Sequence, residues 1–379
     1  MKILFSKSFL LQAITPLLNT VSNRSTTPSA EGLLIQASDD NRVVLTTFDN
    51  EKGTQTVIDA DVQEPGECII KAYKLSQIVR ASEGDTVLIE VDSSLGVQIT
   101  TGRAKTKMIA NSADDFSTIP QLDGENGFVV SQAILKKMFQ KVSFAVGIND
   151  QRPILNGCFV QVTDGKMLLV ASDSFRVARC ETDVAIDTIG QNQEFKFIIP
   201  GKAVNEFVKL LNDEEDAEAR IFLSKKYMVA IVDQFAFFTK LIEGEYLDFD
   251  RIIVRSHKIK VRVNRNEMIS ALERAALVTE EKFNGNELSH VKITIEDQTI
   301  KITAMSTISS LYDEVECEHE GEDLIIAFNN KFLLDCIAAC NSEKVLISLN
   351  SAYSSANVTP DDEDADNDLY MVLPMKMAG

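Results

Sequence analysis

One strand, polar turn and strand signature is written three times in this chain, and any fold must accommodate all three copies. The segments GLLIQASDDNRVVLTTFD from Gly32, GCFVQVTDGKMLLVASD from Gly157 and HVKITIEDQTIKITAMS from His290 can be laid over one another. Gly157 lies 125 residues after Gly32, and His290 lies 133 residues after Gly157. Upstream of each copy stands a residue suited to cap a helix, Ser6, Ser131 and Asn264, each preceded by an apolar residue. These three positions are separated by the same 125 and 133 residues, so two independent features share one register.

A second helix is expected inside each repeat, after the short apolar strands that begin near Cys68, Phe197 and Leu324. The six helices share apolar residues at i, i+3, i+4 and i+7. In order these are Leu10, Ala13, Ile14, Leu17; Leu75, Ile78, Val79, Ser82; Leu135, Met138, Phe139, Val142; Val204, Phe207, Val208, Leu211; Met268, Ala271, Leu272, Ala275; and Leu333, Cys336, Ile337, Cys340. Strand-like alternation elsewhere, as in TVLIEV from Thr86 and KVLISL from Lys344, suits antiparallel sheets wetted on one face. The expected fold class is therefore α+β: three similar domains, 1–124, 125–255 and 256–379, each with two helices on antiparallel sheets. A length of 379 residues agrees with two or three domains at roughly 150 residues each.

Charge narrows the function. Against 38 Lys+Arg stand 57 Asp+Glu, a net charge of −19, which excludes a surface that grips nucleic acid or anionic membrane all over. No run approaches the roughly 20 apolar residues of a membrane span, and the start MKILFSKSFLLQ reads as strand and helix, so a cytoplasmic protein with no membrane partner is expected. The helical windows 6–18, 72–82, 131–143, 201–212, 264–277 and 329–340 behave differently. They hold eleven basic residues, Lys7, Lys74, Arg80, Lys136, Lys137, Lys141, Lys202, Lys209, Arg265, Arg274 and Lys331, against the four acids Glu206, Glu267, Glu273 and Asp335. The helices thus carry +7 and the rest of the chain −26. At about 100° per residue, Arg80, Lys137, Lys202, Lys209 and Lys331 fall opposite their apolar stripes. If the helices share one surface, that surface is basic in an acidic molecule. It suits phosphate contacts to a duplex, which position without reading sequence. The competing reading is a three-domain protein-binding scaffold without nucleic acid function, its helix charges merely solvated.

Sequence signatures of catalysis are missing. There is no phosphate-binding loop, zinc-protease helix or nucleophile elbow, and the three histidines, His257, His290 and His319, stand well apart. A hydrolase built on paired carboxylates stays open but has no pair placed by the sequence. Cys317, His319, Cys336 and Cys340 can be drawn as a metal site, yet the last two already belong to a core stripe, where free Cys behaves as a small hydrophobe. The run Asp362, Asp364, Asp366, Asp368 resembles a calcium loop but has Asn367 and Leu373 where Gly and Glu are needed, and reads as a solvated acidic loop. Six sparse cysteines give no disulfide framework and no structural zinc. No cofactor and no metal are expected.

Three similar domains, together with RPILNG from Arg152, SDSFRVA from Ser172, KLIEGEYLDFDR from Lys240 and the ending YMVLPMKM from Tyr370, resemble the bacterial sliding clamp family, the beta subunits of DNA polymerase III. The likeness spans the whole chain. It implies the DNA clamp fold and a head-to-tail homodimer closed into a ring, with twelve helices lining the hole and sheets outside. It also implies a non-catalytic processivity factor that encircles double-stranded DNA without sequence specificity. Its partners would be DNA, a second copy of itself, the DNA polymerase III alpha subunit, a separate ATP-driven clamp loader and other proteins with a clamp-binding motif. The DNA-facing residues would be Arg24, in the loop SNRST, with Lys74, Arg80, Lys136, Lys137, Lys141, Lys202, Lys209, Arg265, Arg274 and Lys331. The partner-peptide groove would be formed by Leu155, Ser172, Ser174, Phe175, Arg176, Val177, Leu247, Arg251, Ile252, Met371, Val372, Leu373, Pro374, Met375 and Met377. Three departures bear on peptide preference: Phe175 stands where the family commonly has His, Leu247 where Pro is common, and Ala378 and Gly379 extend past the usual end. The resemblance places the subunit interface near Met108 on one side and Leu277 and Val278 on the other.

Overall fold

A computed structural model describes residues 1–22, 27–119, 126–214, 216–279, 282–283, 286–287, 290–362 and 367–376. Among them are seven α-helices: α1 Lys7–Leu17, α2 Ala72–Arg80, α3 Gln132–Val142, α4 Gly201–Val208, α5 Phe249–Ile252, α6 Arg265–Thr279 and α7 Asn330–Ala339. Six are the expected ones, and their stripes face inward. Every stripe residue is buried except Ile78, Val208 and Ser82, which are half-buried. The seventh, α5, is a single turn too short to show a period.

The three repeated signatures are antiparallel hairpins: Gly32–Ala37 with Arg42–Phe48, Gly157–Thr163 with Lys166–Ser172, and His290–Glu296 with Thr299–Met305. Each turn contains a short polar residue at positive φ, Asn41 (65°), Asp164 (49°) and Asp297 (53°), a backbone region that Asn and Asp tolerate better than bulkier residues. The polar turns read from sequence therefore have a conformational reason.

Two compact units are seen. The first holds Met1–Lys136, Ile186–Asn192 and Lys202–Leu241; the second holds Lys137–Ala185, Gln193–Gly201 and Ile242–Gly379. The middle repeat is shared between them because sheet pairing does not stop at the expected joins. In the first unit, strand Phe235–Lys240 of the middle repeat pairs with Lys52–Asp59 of the first, making one nine-stranded sheet. Gly53 sits opposite Phe238 at that junction, where a Cβ would collide with the Phe238 ring and the Thr47 carbonyl oxygen. In the second unit, Arg176–Asp183 pairs with Leu369–Val372, making a twelve-stranded sheet. The first unit also contains a five-stranded sheet whose last strand is Ala104–Ile109. Its core runs from Ile3, Phe5 and Leu10 through Ile35 and Leu45 to Val79, Ile89 and Ile99.

Only some of the expected caps act through their side chains. Asn264 Oδ1 accepts from the backbone N–H groups of Asn266 (3.0 Å) and Glu267 (3.1 Å); Asn329, which is not among the three expected positions, caps α7 with its Oδ1 through Phe332 N–H (3.2 Å). Ser6 makes no cap; its hydroxyl lies 3.0 Å from that of Ser8. Replacing a capping Asn by Ala costs about 1 kcal/mol. Asn264→Ala should therefore lower the urea midpoint, whereas Ser6→Ala should leave it within error.

Candidate DNA interface and partner groove

The basic helix residues divide by environment. Arg80, Lys137 and Lys202 are exposed on α2, α3 and α4, as their phase predicts, and Lys74 is exposed on α2 as well; Arg80 also reaches Thr15 Oγ1 at 3.3 Å. Several hold a nearby carboxylate. Lys136 lies 2.6 Å from Asp213, Lys209 lies 2.6 Å from Glu206, and Lys331 lies 3.7 Å from Asp335. Exposed pairs of this kind are worth about 0–1 kcal/mol, so a phosphate could replace the carboxylate at little cost. Arg274 is held more firmly, with Nε and Nη2 both on Asp313 at 2.7 and 2.6 Å. Arg265 turns back onto the protein, its Nη2 donating to the Ala338 carbonyl at 2.6 Å. Arg24 lies outside the described residues.

Lys141 departs from the expectation. Its side chain is 5% exposed and its Nζ lies 2.6 Å from Asp368, which is 1% exposed. A charge this deep cannot reach a phosphate. Sequence could not show this, because Lys141 takes its partner from 227 positions away and its helical phase places it beside, rather than within, the apolar stripe.

The second unit gathers most of the groove residues. Ser172 Oγ donates to the Arg176 carbonyl (2.8 Å) and accepts from Ser174 N–H (3.2 Å), closing a tight turn in which Ser174 has φ 79°. The turn displays Phe175, 60% exposed, against Phe332 with ring centroids 6.3 Å apart. Beside it Val177 pairs with Met371 and Arg176 with Val372. Val177, Met371 and Val170 form a small apolar cluster flanked by Phe159, Tyr246 and Phe249. The Tyr246 ring stacks on Phe159 at 5.3 Å, which anchors the segment bearing Leu247, Arg251 and Ile252. Arg251 and Ile252 are exposed, and Leu247 is half-buried. Leu155 is buried behind a loop in which Arg152 bonds both Asp150 and Ser174.

Two features of the groove differ from expectation. Leu373 and Met375 are each 39% exposed and lie beyond the last strand, with Leu373 N–H on the Phe175 carbonyl (2.9 Å) and Met375 N–H on the Ala327 carbonyl (2.8 Å). The backbone beside the groove is thus partly bonded by the tail itself; Met377 lies outside the described residues. Arg176 is not a wall residue but a buried tie. It bonds Asp173 (2.9 Å), Asp335 (2.7 Å) and the Phe144 carbonyl (2.6 Å), and its guanidinium lies 4.2 Å from the Phe332 ring centroid and 5.2 Å from that of Phe144. Phe144, Phe332, Asp173 and Asp335 were missed in the sequence, where the only signal was that Asp335 stands among the basic residues of its helix windows.

Of the residues expected at a subunit interface, Met108 is half-buried and Leu277 is 76% exposed, but Val278 is buried in the unit's own core, so charging it would damage the fold rather than report on association. Ile109, at the end of an edge strand, is 80% exposed.

Cys336 is buried on α7 and Cys340 at its C-terminal end, where burial pushes the Cys340 thiol up to about 12. No group of three metal-ligating side chains is present among the described residues. Asp364 and Asp366 of the acidic run lie outside the described residues. No described helix is long and apolar enough to cross a membrane.

Three domain models of one family match the chain in order: DNA polymerase III beta subunit, N-terminal domain over residues 1–120, central domain over 129–248 and C-terminal domain over 250–376. A beta sliding clamp of Pseudomonas aeruginosa is 30% identical over 373 residues, covering 97% of this chain and 98% of that protein. One from Chlamydia muridarum is 28% identical over 379 residues, covering 100% and 99%. The crystal structure of a DNA polymerase sliding clamp from Bacillus subtilis superimposes with a TM-score of 0.90 at 26% identity, over 100% of both chains.

Arg176 satisfies two carboxylates from within the protein, so removing it strands both. Arg176→Met should lower unfolding free energy by about 3–5 kcal/mol, measured in urea.

Proposed function

The chain belongs to the family of bacterial DNA polymerase III beta subunits, the sliding clamps, and from that premise we propose that it acts as a head-to-tail homodimer whose closed ring surrounds duplex DNA. Its function is polymerase processivity, and it is a non-catalytic subunit; the protein-only scaffold is not favoured. A ring cannot leave a duplex sideways, so contacts to DNA need only be weak and independent of sequence. The exposed Lys74, Arg80, Lys137 and Lys202, drawn to phosphates in an otherwise acidic molecule, fit that need. The polymerase alpha subunit, the clamp loader and other clamp-binding proteins would dock at the groove around Phe175, Leu247, Ile252, Leu373 and Met375.

One observation carries the ring. The chain contains the same sheet junction twice, Lys52–Asp59 with Phe235–Lys240 and Arg176–Asp183 with Leu369–Val372. By the repeat, the strand that remains on each side is Ser310–Glu320 in the third repeat and Ala104–Ile109 in the first. Among the described residues both have an unpaired side: Ala104–Ile109 ends its sheet, and the Ser310–Glu316 part of the other bonds only Thr299–Met305. Joining these edges between two copies repeats the junction a third time and leaves neither edge open. Charge agrees. Lys105 and Lys107 are exposed on one strand, and Glu314 and Glu316 on the other. Exposed Ile109 and Leu277 would supply apolar contact.

The function is tested by loading the protein on circular DNA: it should be retained, and lost when the circle is cut. Reversing Lys137 and Lys202 to Glu should reduce retention and flatten the dependence of log affinity on log salt by about 0.9 per lost phosphate contact; an unchanged slope would remove these side chains from the interface. The subunit junction is tested by sedimentation. Wild type should show twice the mass of the 42.0 kDa chain. Lys105→Glu with Lys107→Glu should give monomers, and adding Glu314→Lys and Glu316→Lys should restore dimers. Persistent dimers in the first variant would place the junction elsewhere.

A further inference from the structure

The Lys141–Asp368 pair is the most deeply buried ion pair among those described, and it sits at a telling place. Asp368 is the residue immediately before strand Leu369–Val372, the last strand among the described residues. That strand is bonded on one side to Arg176–Arg179 and on the other to Ala356–Val358, and it runs directly into Leu373 and Met375. That strand is only four residues long. The sequence before it is rich in carboxylates, Asp361 and Asp362 among them, which repel one another. Cations hold the stretch at both stems. Arg262 lies 3.4 Å from Asp361, Arg179 Nη1 donates to the Asn367 carbonyl at 3.0 Å, and Lys141 takes Asp368. Of these three, only the Lys141–Asp368 contact is shielded from solvent, so salt does not screen it.

We propose that Lys141 is a positioning residue for the partner groove: paired with Asp368, it pins the start of the terminal strand so that Leu373 and Met375 are held ready before a peptide arrives. This rests on the groove reading given above. Lys141 touches no partner in this scheme. It acts on affinity by sparing the peptide the cost of ordering the strand. Asp368 also supplies a compensating charge for a lysine buried in α3 beside the core.

The test uses the full-length protein and two readouts. The first is titration of a fluorescein-labelled peptide with Leu and Phe anchors; the second is amide hydrogen exchange of Leu369–Val372. Asp368→Asn and Lys141→Met should each weaken peptide binding about tenfold and speed exchange of those amides by at least about as much, because ordering of the strand is then no longer built in. The salt dependence of DNA retention should not change in Lys141→Met; a flatter slope there would make Lys141 a DNA ligand and overturn the proposal. The double variant Lys141→Met with Asp368→Leu removes both charges of this pair and puts two apolar side chains in contact in their place, which should bring both readouts back to within about threefold of wild type. If the single variants fail to fold, the double variant decides, and weak binding by a folded double variant would refute a pinning role. Wild-type affinity and exchange in both single variants would also refute it. Leu373→Asp serves as the control for the groove itself. If it binds the peptide as wild type does, the groove assignment fails, while the exchange measurement still judges the pin.

Discussion

Unsatisfied backbone at a strand edge is the constraint on which this molecule turns. Every edge strand presents a row of N–H and carbonyl groups that must find water or another strand. The chain meets this demand by fusing sheets across its repeats. Phe235–Lys240 completes the sheet of the first repeat, and Leu369–Val372 completes that of the second. Because the completing strand always comes from the following repeat, a linear chain of three repeats necessarily ends with one incomplete edge at each extremity. Those two edges are complementary by construction. In the ring we propose, closure is the same pairing carried out between subunits, and it asks for no interface geometry beyond the one the repeat already uses.

Electrostatics is arranged in two depths. At the surface, basic side chains lie on helices and many hold carboxylates only loosely, in pairs such as Lys209–Glu206 that exchange readily for a phosphate. In the interior, Arg176 and Lys141 are charges that have left water altogether. They are compensated by Asp173 and Asp335 in one case and Asp368 in the other. Interior pairs of this kind seldom add net stability over apolar packing, but they tolerate only one arrangement. That selectivity is useful next to a groove whose apolar residues, including Met371 and Met375, could otherwise pack in several ways.

The sequence made legible whatever obeys a period or a spacing. The hairpins, the six longer helices and their buried stripes follow from apolar residues at fixed intervals, and the repeat register followed from Ser6, Ser131 and Asn264 even though Ser6 turns out to cap nothing. What stayed hidden depends on partners distant in the chain. Lys141 looks like Lys137 until Asp368 is placed beside it, and Arg176 looks like a groove wall until Phe144, Phe332 and Asp335 surround it. Val278 and Leu277 are neighbours in sequence with opposite environments, which a helix of alternating exposure settles only once its packing is known. The groove itself was read through a family likeness; its residues come from strand, loop and tail, and share no period that a single sequence could display.

Strand Ser310–Glu320 has a mechanical consequence. It is eleven residues long and changes partners midway, bonding Thr299–Met305 with its first part and Lys260–Val263 with its last. A pull on its free end therefore loads two hydrogen-bond ladders in series through one covalent backbone, with no loop between them to absorb slack. Such an element behaves as a lever rather than a hinge. Motion imposed at one end of the strand must reappear at the other, where Val261 and Val263 lie in the core beneath α6.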